Sequence, residues 1–258
     1  MSLLQAIALG VVQGVTEFLP VSSDGHLALA SIALGLRPSL AFDVLLHAGT
    51  LAVVVVALRR EVGAMIVGSL RLVRRPASAD PDARFALHVI VASLPTAAIG
   101  LLLRHVAEAQ TESPRIVAAW LAVTGGLLLI TVRTRGDRPV NAALAFAIGV
   151  AQGLAVLPGL SRSGSTIAIA LLFGVRREDA VRFSFAASVP AIAGALALEL
   201  PRLDLGHVGV VPATVGVLCA AAAGALALRG VFAVVGSGRA WAFSLYLFPL
   251  AAAVWFLA

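Results

Sequence analysis

Long apolar runs separated by short polar stretches dominate this chain. Six of the runs reach about 20 residues, the length that a helix needs to cross the hydrocarbon core of a bilayer. None of them shows the alternation of apolar and polar residues that is typical of a membrane β-barrel. The runs therefore predict six membrane-spanning helices, at residues 39–59, 84–104, 115–133, 180–200, 208–229 and 239–257.

Two further segments, residues 2–35 and 140–174, each contain two apolar arms that are too short to span a bilayer. Both carry a Gln-Gly pair and then a Leu-Pro step that leads into a serine-rich, glycine-containing turn. Broken backbone at membrane depth is tolerated only where protein or a watery cavity covers it. We therefore predict two re-entrant helix hairpins, the first hairpin (2–35) and the second hairpin (140–174). Their duplication indicates a functional site between two halves.

The chain contains no lysine, so arginine alone supplies its positive side chains. With six spans and two re-entrant hairpins, fourteen arginines share one side of the membrane: Arg59, Arg60, Arg71, Arg74, Arg75, Arg84, Arg133, Arg135, Arg138, Arg176, Arg177, Arg182, Arg229 and Arg239. The positive-inside rule makes that side cytoplasmic and places both termini outside. The predicted fold is thus an all-α polytopic membrane protein, a single domain over 1–258. Residues 1–133 and 138–258 form inverted-topology repeats within it.

Composition supports a membrane protein and gives no sign of a disulfide-stabilised or nucleic-acid-binding one. The chain has 258 residues, of which 60% are hydrophobic, and its mean hydropathy is +1.01, far above the usual value for soluble domains. Cys219 is the single cysteine. The net charge of +6 is attributed to membrane topology and lipid headgroups, so no nucleic-acid partner is expected.

The first hairpin carries ionisable groups where its surroundings are apolar. Gln13 and Glu17 are four residues apart and share a helix face. A charge at the centre of a membrane costs about 2.5–3.5 kcal/mol on insertion scales, so Glu17 and His26 are expected to serve a function. Ser23 precedes His26 by three residues at a helix start, which allows contact between hydroxyl and imidazole. We predict catalytic roles for Glu17, Ser23 and His26.

The second hairpin carries the pattern of a phosphate site. Three serines, a threonine, two glycines and an arginine precede its second apolar arm. Backbone N–H groups at a helix start attract anions, and the planar guanidinium of Arg162 suits phosphate oxygens. Arg162 is therefore also a catalytic candidate. The predicted substrate-binding residues are Gln13, Ser161, Arg162, Ser163 and Thr166.

Together the two hairpins suit hydrolysis of a phosphate ester or anhydride on a membrane-embedded molecule. A carboxylate next to phosphate in an apolar setting also attracts a divalent cation such as Mg²⁺ or Ca²⁺, with Glu17 as the predicted metal ligand. The nucleophile remains open at this point. Either Ser23 is activated by His26, or a metal-bound water attacks with Glu17 as ligand or base.

At these residues the chain resembles the undecaprenyl-diphosphate phosphatase family of the bacitracin-resistance type. The first family motif corresponds to Gln13 and Glu17, followed by Phe18-Leu19-Pro20-Val21-Ser22-Ser23 and Gly25-His26. The second motif corresponds to Pro158-Gly159-x-Ser161-Arg162-Ser163-x-x-Thr166. The likeness covers essentially the whole chain. Gln13 stands where the family also uses glutamate, and Asp24 stands where threonine or serine is common.

The resemblance implies hydrolysis of undecaprenyl diphosphate to its monophosphate, which recycles the lipid carrier of peptidoglycan synthesis. It implies chemistry at the outer face of the bacterial plasma membrane, a divalent cation, a homodimer, and contacts with membrane lipids. It also implies roles for Glu17, Ser23, His26, Ser161, Arg162 and Thr166. The alternative is a polyprenyl-phosphate transporter or flippase, because inverted repeats with broken helices are typical of transporters.

Overall fold

Helices make up almost all of the part of the chain that the structure describes, residues 1–37, 40–74, 80–202 and 205–258. The structure is a computed structural model. In chain order its α-helices are α1 (Leu3–Phe18), α2 (Ser23–Ala33), α3 (Leu40–Ala57), α4 (Arg59–Arg74), α5 (Pro81–Thr111), α6 (Pro114–Leu129), α7 (Ala142–Leu154), α8 (Arg162–Leu172), α9 (Arg177–Glu199), α10 (Leu205–Val208), α11 (Val210–Gly236) and α12 (Ser244–Leu257). Three 3₁₀ segments adjoin them, at Ile130–Arg133, Leu200–Arg202 and Ala240–Phe243. These residues include no β-strand, so the predicted all-α class is confirmed.

Five helical segments among the described residues are long and apolar enough to cross a bilayer. They are Pro81–Thr111, Pro114–Arg133, Arg177–Glu199, Val210–Gly236 and Ala240–Leu257. A sixth is counted if the bent pair α3 and α4 forms one span. Five of the six predicted spans therefore have a direct counterpart. The sixth, predicted at 39–59, corresponds to α3, and its first residue lies outside the described residues. A multi-pass membrane protein is confirmed.

Helix α4 does not continue the line of α3, because the two axes meet at 85°. If α3 crosses the membrane, α4 runs roughly parallel to the membrane surface. Apolar side chains such as Ile66 and Val73 remain exposed on α4, while basic residues occupy both of its ends. Gly68 lets α4 approach α5 closely, since a Cβ there would lie 2.9 Å from the Cβ of Ala86. Arg75, which completes this basic stretch in the sequence, lies outside the described residues.

Two pairs of short helices occupy the segments that were predicted as hairpins. The pair α1 and α2 contains 16 and 11 residues, and the pair α7 and α8 contains 13 and 11. Pro20 follows the end of α1, and a proline cannot extend a helix without losing a backbone donor. Serine caps the second helix of each pair: the Ser22 Oγ accepts from a backbone N–H in α2, and the Ser161 Oγ does so in α8. The breaks lie where the sequence predicts them.

Each short pair packs against a long helix from the other half of the chain. Helix α1 lies along α11, and α7 lies along α5. Close approach requires glycine in both places, because a Cβ at Gly14 would lie 2.8 Å from the Ala223 Cβ, and a Cβ at Gly153 would lie 2.8 Å from the Ile99 Cβ. Helix α3 packs on α9 and α11, and α6 packs on α12. This packing brings the two helix breaks into contact with each other.

Candidate active site

A cavity of about 340 Å³ lies where the two helix breaks meet α3, α5 and α9. Such a volume is within the usual range for a ligand site. At one end its wall is polar, formed by Glu17, Ser22, Ser23, Asp24, Asp43, His47, Ser161, Arg162 and Ser163. Elsewhere the wall is mostly apolar and is formed by α5, α9 and the turn between α7 and α8. The cavity therefore offers polar chemistry at one end and a surface suited to hydrocarbon along the rest.

The turn between α1 and α2 contacts the turn between α7 and α8 directly. The Ser22 Oγ accepts hydrogen bonds from the backbone N–H of Gly159 at 3.1 Å and of Gly25 at 3.3 Å. The Ser163 Oγ donates to the carbonyl oxygen of Leu19 at 3.2 Å. Ser22 adopts a φ of +72°, a left-handed conformation that costs a non-glycine residue energy and persists only when its surroundings impose it. The hydrogen bonds between the two halves of the chain hold Ser22 in this conformation.

Glu17 lies at the centre of the polar end and is only 7% exposed. Its Oε2 accepts hydrogen bonds from the Ser23 hydroxyl at 2.7 Å and from the Gln13 side-chain amide at 3.1 Å. Its Oε1 forms an ion pair with the guanidinium of Arg162. Gln13 contacts Glu17 instead of the cavity, and its Nε2 is committed to that carboxylate. The two hairpin motifs thus meet through one buried carboxylate, a geometry that makes Glu17 a candidate base for Ser23.

His47 of α3 completes the cluster, and the sequence analysis missed it. Its Nε2 lies 3.2 Å from the Glu17 Oε2 and 3.6 Å from the Asp24 Oδ1. Its Nδ1 lies 2.7 Å from the carbonyl oxygen of Asp43 and donates to it. Because Nδ1 already carries a proton, Nε2 can interact favourably with two carboxylates only as a second N–H donor. An ionisable residue inside an apolar span is expected to be functional, and this signal was available in the sequence.

His26 and Ser23 do not form the expected hydroxyl–imidazole contact. The His26 Nδ1 lies 2.7 Å from the carbonyl oxygen of Ser22, and its Nε2 lies 2.8 Å from the hydroxyl of Tyr246. The two rings stack with centroids 5.8 Å apart. His26 therefore faces α12, whereas the Ser23 hydroxyl is directed to Glu17. The three-residue spacing was compatible with a pair, but the imidazole binds the carbonyl oxygen one turn back instead.

Part of the phosphate site that was predicted in residues 140–174 forms hydrogen bonds within the protein. The backbone N–H groups of Gly159, Ser161 and Gly164 donate to the hydroxyls of Ser22, Thr124 and Ser161, respectively. These three groups are therefore committed before any ligand binds. The guanidinium of Arg162, which pairs with Glu17 and lines the cavity, remains the clearest candidate in the motif for binding an anion.

Two threonines form hydrogen bonds within the protein close to Arg162. Thr124 of α6 was not singled out, yet its hydroxyl accepts from the N–H of Ser161 at 2.9 Å and donates to the carbonyl oxygen of Gly159 at 2.8 Å. It therefore fixes the turn that precedes α8. Thr166 donates to the carbonyl oxygen of Arg162 at 2.9 Å and borders a separate cavity of about 10 Å³ behind that arginine. Its substrate-binding role stays a prediction.

A divalent cation fits this site only if oxygen atoms of a bound substrate help the side chains to hold it. Among the described residues, no group of three or more His, Cys, Asp or Glu side chains is arranged to hold a metal ion. Both oxygens of Glu17 already have protein partners. The Asp24 side chain is 43% exposed and is the more accessible carboxylate in the cavity. Since Mg²⁺ is commonly held by one or two carboxylates together with substrate phosphates, Asp24 plus a diphosphate is a compatible ligand set.

The sequence of this chain matches the family model described as "Bacitracin resistance protein BacA" over residues 6–253. The chain belongs to the BacA family. Members of this family named undecaprenyl-diphosphatase are similar along nearly their full length. The protein from Rubrobacter xylanophilus is 45% identical over 265 residues, covering 98% of this chain and 97% of the relative. The protein from Desulforapulum autotrophicum is 43% identical, and that from Korarchaeum cryptofilum is 39% identical; each match covers 95% of both chains.

Proposed function

We propose that this BacA-family protein hydrolyses undecaprenyl diphosphate to undecaprenyl phosphate and inorganic phosphate. It is a membrane phosphatase, and its family and the names of its relatives support this substrate. The observation that carries the mechanism is the hydrogen bond from the Ser23 hydroxyl to Glu17, 2.7 Å long, beside the Arg162 guanidinium in a cavity. A hydroxyl, a base and a cationic group for phosphate are thereby brought together.

In the first step the Ser23 Oγ attacks the terminal phosphorus of the diphosphate. Glu17 takes the hydroxyl proton, the bond between that phosphorus and the bridging oxygen breaks, and undecaprenyl phosphate leaves, carrying that proton away on its phosphate so that Glu17 is again a carboxylate. In the second step water attacks the phosphoserine phosphorus and the bond to Ser23 breaks. Glu17 passes the proton between water and the serine oxygen, so inorganic phosphate is released and the protein is regenerated.

Arg162 and His47 adjust the charge around this reaction. The guanidinium of Arg162 binds diphosphate oxygens as two parallel N–H donors and stabilises the charge that develops on them. His47 acts through Glu17: its Nε2 holds the Oε2 that faces Ser23. We therefore regard His47 as a positioning residue. His26, which faces Tyr246, would support α2 and not the reacting atoms.

A divalent cation, Mg²⁺ or Ca²⁺, is part of this proposal. Asp24 and the diphosphate oxygens would hold it, with Glu17 as the further carboxylate nearby. When bound, such an ion supplies Lewis-acid polarisation of phosphoryl oxygens. The second route, in which water attacks directly and Glu17 is the base, uses the same carboxylate but leaves Ser23 without a covalent role.

We also propose the inverted-repeat topology with six spans, two re-entrant hairpins and both termini outside. Support comes from the packing of each hairpin on a helix of the other half, α1 on α11 and α7 on α5. It comes also from the uneven distribution of arginines. The active site would then face the outer side of the bacterial plasma membrane. A homodimer remains part of the proposal on the family resemblance alone.

The test is phosphate release from undecaprenyl diphosphate by purified protein in detergent, with no ion gradient. A transporter would bind the lipid without releasing phosphate, and the names of the relatives do not favour that function.

Glu17→Gln should lower turnover at least about a hundredfold, the lower scale of acid–base effects. Glu61→Gln is the matched control, because Glu61 pairs with Arg182 away from the cavity. Full activity of Glu17→Gln would refute the proposed role of Glu17 as the base.

A further inference from the structure

The polar end of the cavity carries more acidic than basic side chains. Its ionisable residues are Glu17, Asp24, Asp43, His47 and Arg162. Glu17 engages both basic groups, because the Arg162 guanidinium pairs with its Oε1 and the His47 Nε2 lies 3.2 Å from its Oε2. Asp24 is farther from His47, at 3.6 Å. When all five groups are ionised, three negative charges face two positive ones, and a bound diphosphate adds further negative charge.

Asp43 of α3 is buried at this end of the cavity and has no role in the proposed reaction. It is only 6% exposed and lines the cavity. Among the described residues its carboxyl group forms no hydrogen bond and no ion pair. The His47 Nδ1 donates to the backbone carbonyl oxygen of Asp43 and not to its side chain. Since buried charges are paired or coordinate metals, the partner of this carboxylate is expected to come from a ligand.

Asp24 of α2 brings a second carboxylate to the same place. Asp43 and His47 are four residues apart on α3 and share a helix face, and the His47 Nε2 lies 3.6 Å from the Asp24 Oδ1. The carboxyl groups of Asp24 and Asp43 lie close enough to repel each other. The Asp24 side chain is 43% exposed, and its Oδ2 has no partner within the described ranges. Two carboxylates from different helices thus meet in one cavity, while the neighbouring His47 is engaged by Glu17.

Two carboxylates beside a diphosphate match the ligands that a divalent cation prefers. Mg²⁺ is commonly bound by one or two carboxylates together with phosphate oxygens, and Ca²⁺ also takes oxygen ligands. The side chains alone are too few, since no set of three or more His, Cys, Asp or Glu in the described part of the chain could hold a metal ion. Glu17 is less suited than Asp24 and Asp43, because both of its oxygens already bind protein groups.

We propose that Asp24 and Asp43 are the protein ligands of the divalent cation, and that the diphosphate supplies further ligands. The proposal rests on the proposed function and adds Asp43, which lies outside both hairpin motifs, to the site. Glu17 does not bind the metal and remains the base for Ser23. Because the diphosphate completes the cation site, each of the two ligands strengthens the binding of the other.

The test measures Mn²⁺, as a substitute for Mg²⁺, in equilibrium dialysis of the full-length protein in detergent. The dialysis is run with and without methylenediphosphonate, a diphosphate analogue that cannot be hydrolysed, at equal concentration on both sides. Asp43→Asn and Asp24→Asn each remove one charge and preserve the shape of the side chain. Asp179→Asn is the matched control, because Asp179 pairs with Arg176 and does not line the cavity. Melting temperatures verify that each variant folds.

The unmodified protein should bind Mn²⁺ more tightly with the analogue than without it. Asp43→Asn and Asp24→Asn should each weaken Mn²⁺ binding in the presence of the analogue at least about tenfold, since even indirect contacts to a metal have effects of that size. Asp179→Asn should leave this affinity unchanged. An unchanged affinity in folded Asp43→Asn would overturn the proposal, and so would a failure of the unmodified protein to bind Mn²⁺ in the presence of the analogue.

Asp43→Cys in the Cys219→Ser background provides a second measurement. A thiolate prefers softer cations than a carboxylate does, so this variant should bind Cd²⁺ at least about tenfold more tightly than Cys219→Ser alone, and Mn²⁺ more weakly. Equal Cd²⁺ binding by these two proteins would contradict coordination by residue 43. Failure of the unmodified protein to release phosphate would instead refute the proposed function without changing the Mn²⁺ result, so the two failures are distinguishable.

Discussion

The Ser22 hydroxyl accepts a hydrogen bond from the backbone N–H of Gly159 at 3.1 Å, across 137 residues of sequence. The same oxygen caps α2 by accepting from the N–H of Gly25. One side chain thus starts a helix of the first hairpin and binds the tip of the second. The proposed catalytic cluster requires both pairs of short helices, because Glu17 comes from one pair and Arg162 from the other.

Ser22→Ala should therefore lower both stability and activity. Loss of an N-cap costs about 0.5–2 kcal/mol, and the buried N–H of Gly159 would also lose its acceptor. Ser2→Ala is the matched control, since Ser2 caps α1 at an exposed position away from the tips. Melting curves in detergent and phosphate-release rates should show a larger loss for Ser22→Ala than for Ser2→Ala. Equal melting temperatures and equal rates would contradict a joining role for Ser22.

Arg162→Lys should reduce turnover about ten- to hundredfold, the scale of one hydrogen bond to a charged group. Lysine retains the positive charge but lacks the planar pair of donors that binds two phosphate oxygens at once. The control is Arg182→Lys, because Arg182 is an exposed arginine that pairs with Glu61 outside the cavity. Steady-state kinetics on undecaprenyl diphosphate will compare the turnover of the two variants. Near-normal hydrolysis by Arg162→Lys would show that charge alone suffices there.

His47→Leu should lower kcat/KM about ten- to hundredfold, because Glu17 and Asp24 lose a shared donor. His47→Gln should recover part of that loss, since an amide N–H still reaches a carboxylate. A merely space-filling role predicts no such recovery, with His47→Leu and His47→Gln equally impaired. His105→Gln is the control, at a histidine whose side chain is 88% exposed.

The sequence was sufficient to predict the helices and the contributions of Glu17, Ser23 and Arg162 to one cluster, because local chemistry determines where the helices begin and end. Pro20 follows the end of α1, and a serine caps the second helix at both breaks, so the two segments with broken helices were predicted close to their observed bounds. Partners that are distant along the chain were not predictable in this way. The stacking of His26 on Tyr246 joins residues 220 positions apart, and spacing within α2 could not reveal it. The contact of His47 with Glu17 likewise depends on how α3 packs against α1.

Membrane topology is testable by cysteine labelling in a Cys219→Ser background, since Cys219 is the single native cysteine. We expect Leu36→Cys and Glu112→Cys to react with an impermeant maleimide from outside. We expect Asp137→Cys and Ser237→Cys to react only after permeabilisation. We expect this pattern because the positive-inside rule assigns the arginine-rich loops to the cytoplasm. Labelling of residues 36 and 137 from the same side would contradict the inverted-repeat topology.

Ser23 and His26 should behave as independent residues in a double-mutant cycle. The Ser23 hydroxyl is bonded to Glu17, while His26 is bonded to Ser22 and Tyr246, so each variant removes a different interaction. The losses in Ser23→Ala and His26→Ala should therefore multiply in the double variant, whereas members of one catalytic unit give losses that do not. His26→Ala and Tyr246→Phe should be strongly non-additive, since both break the same contact. Equal losses in Ser23→Ala, His26→Ala and their double variant would restore histidine as the activator of the serine, and would require His26 to leave Tyr246 when substrate binds.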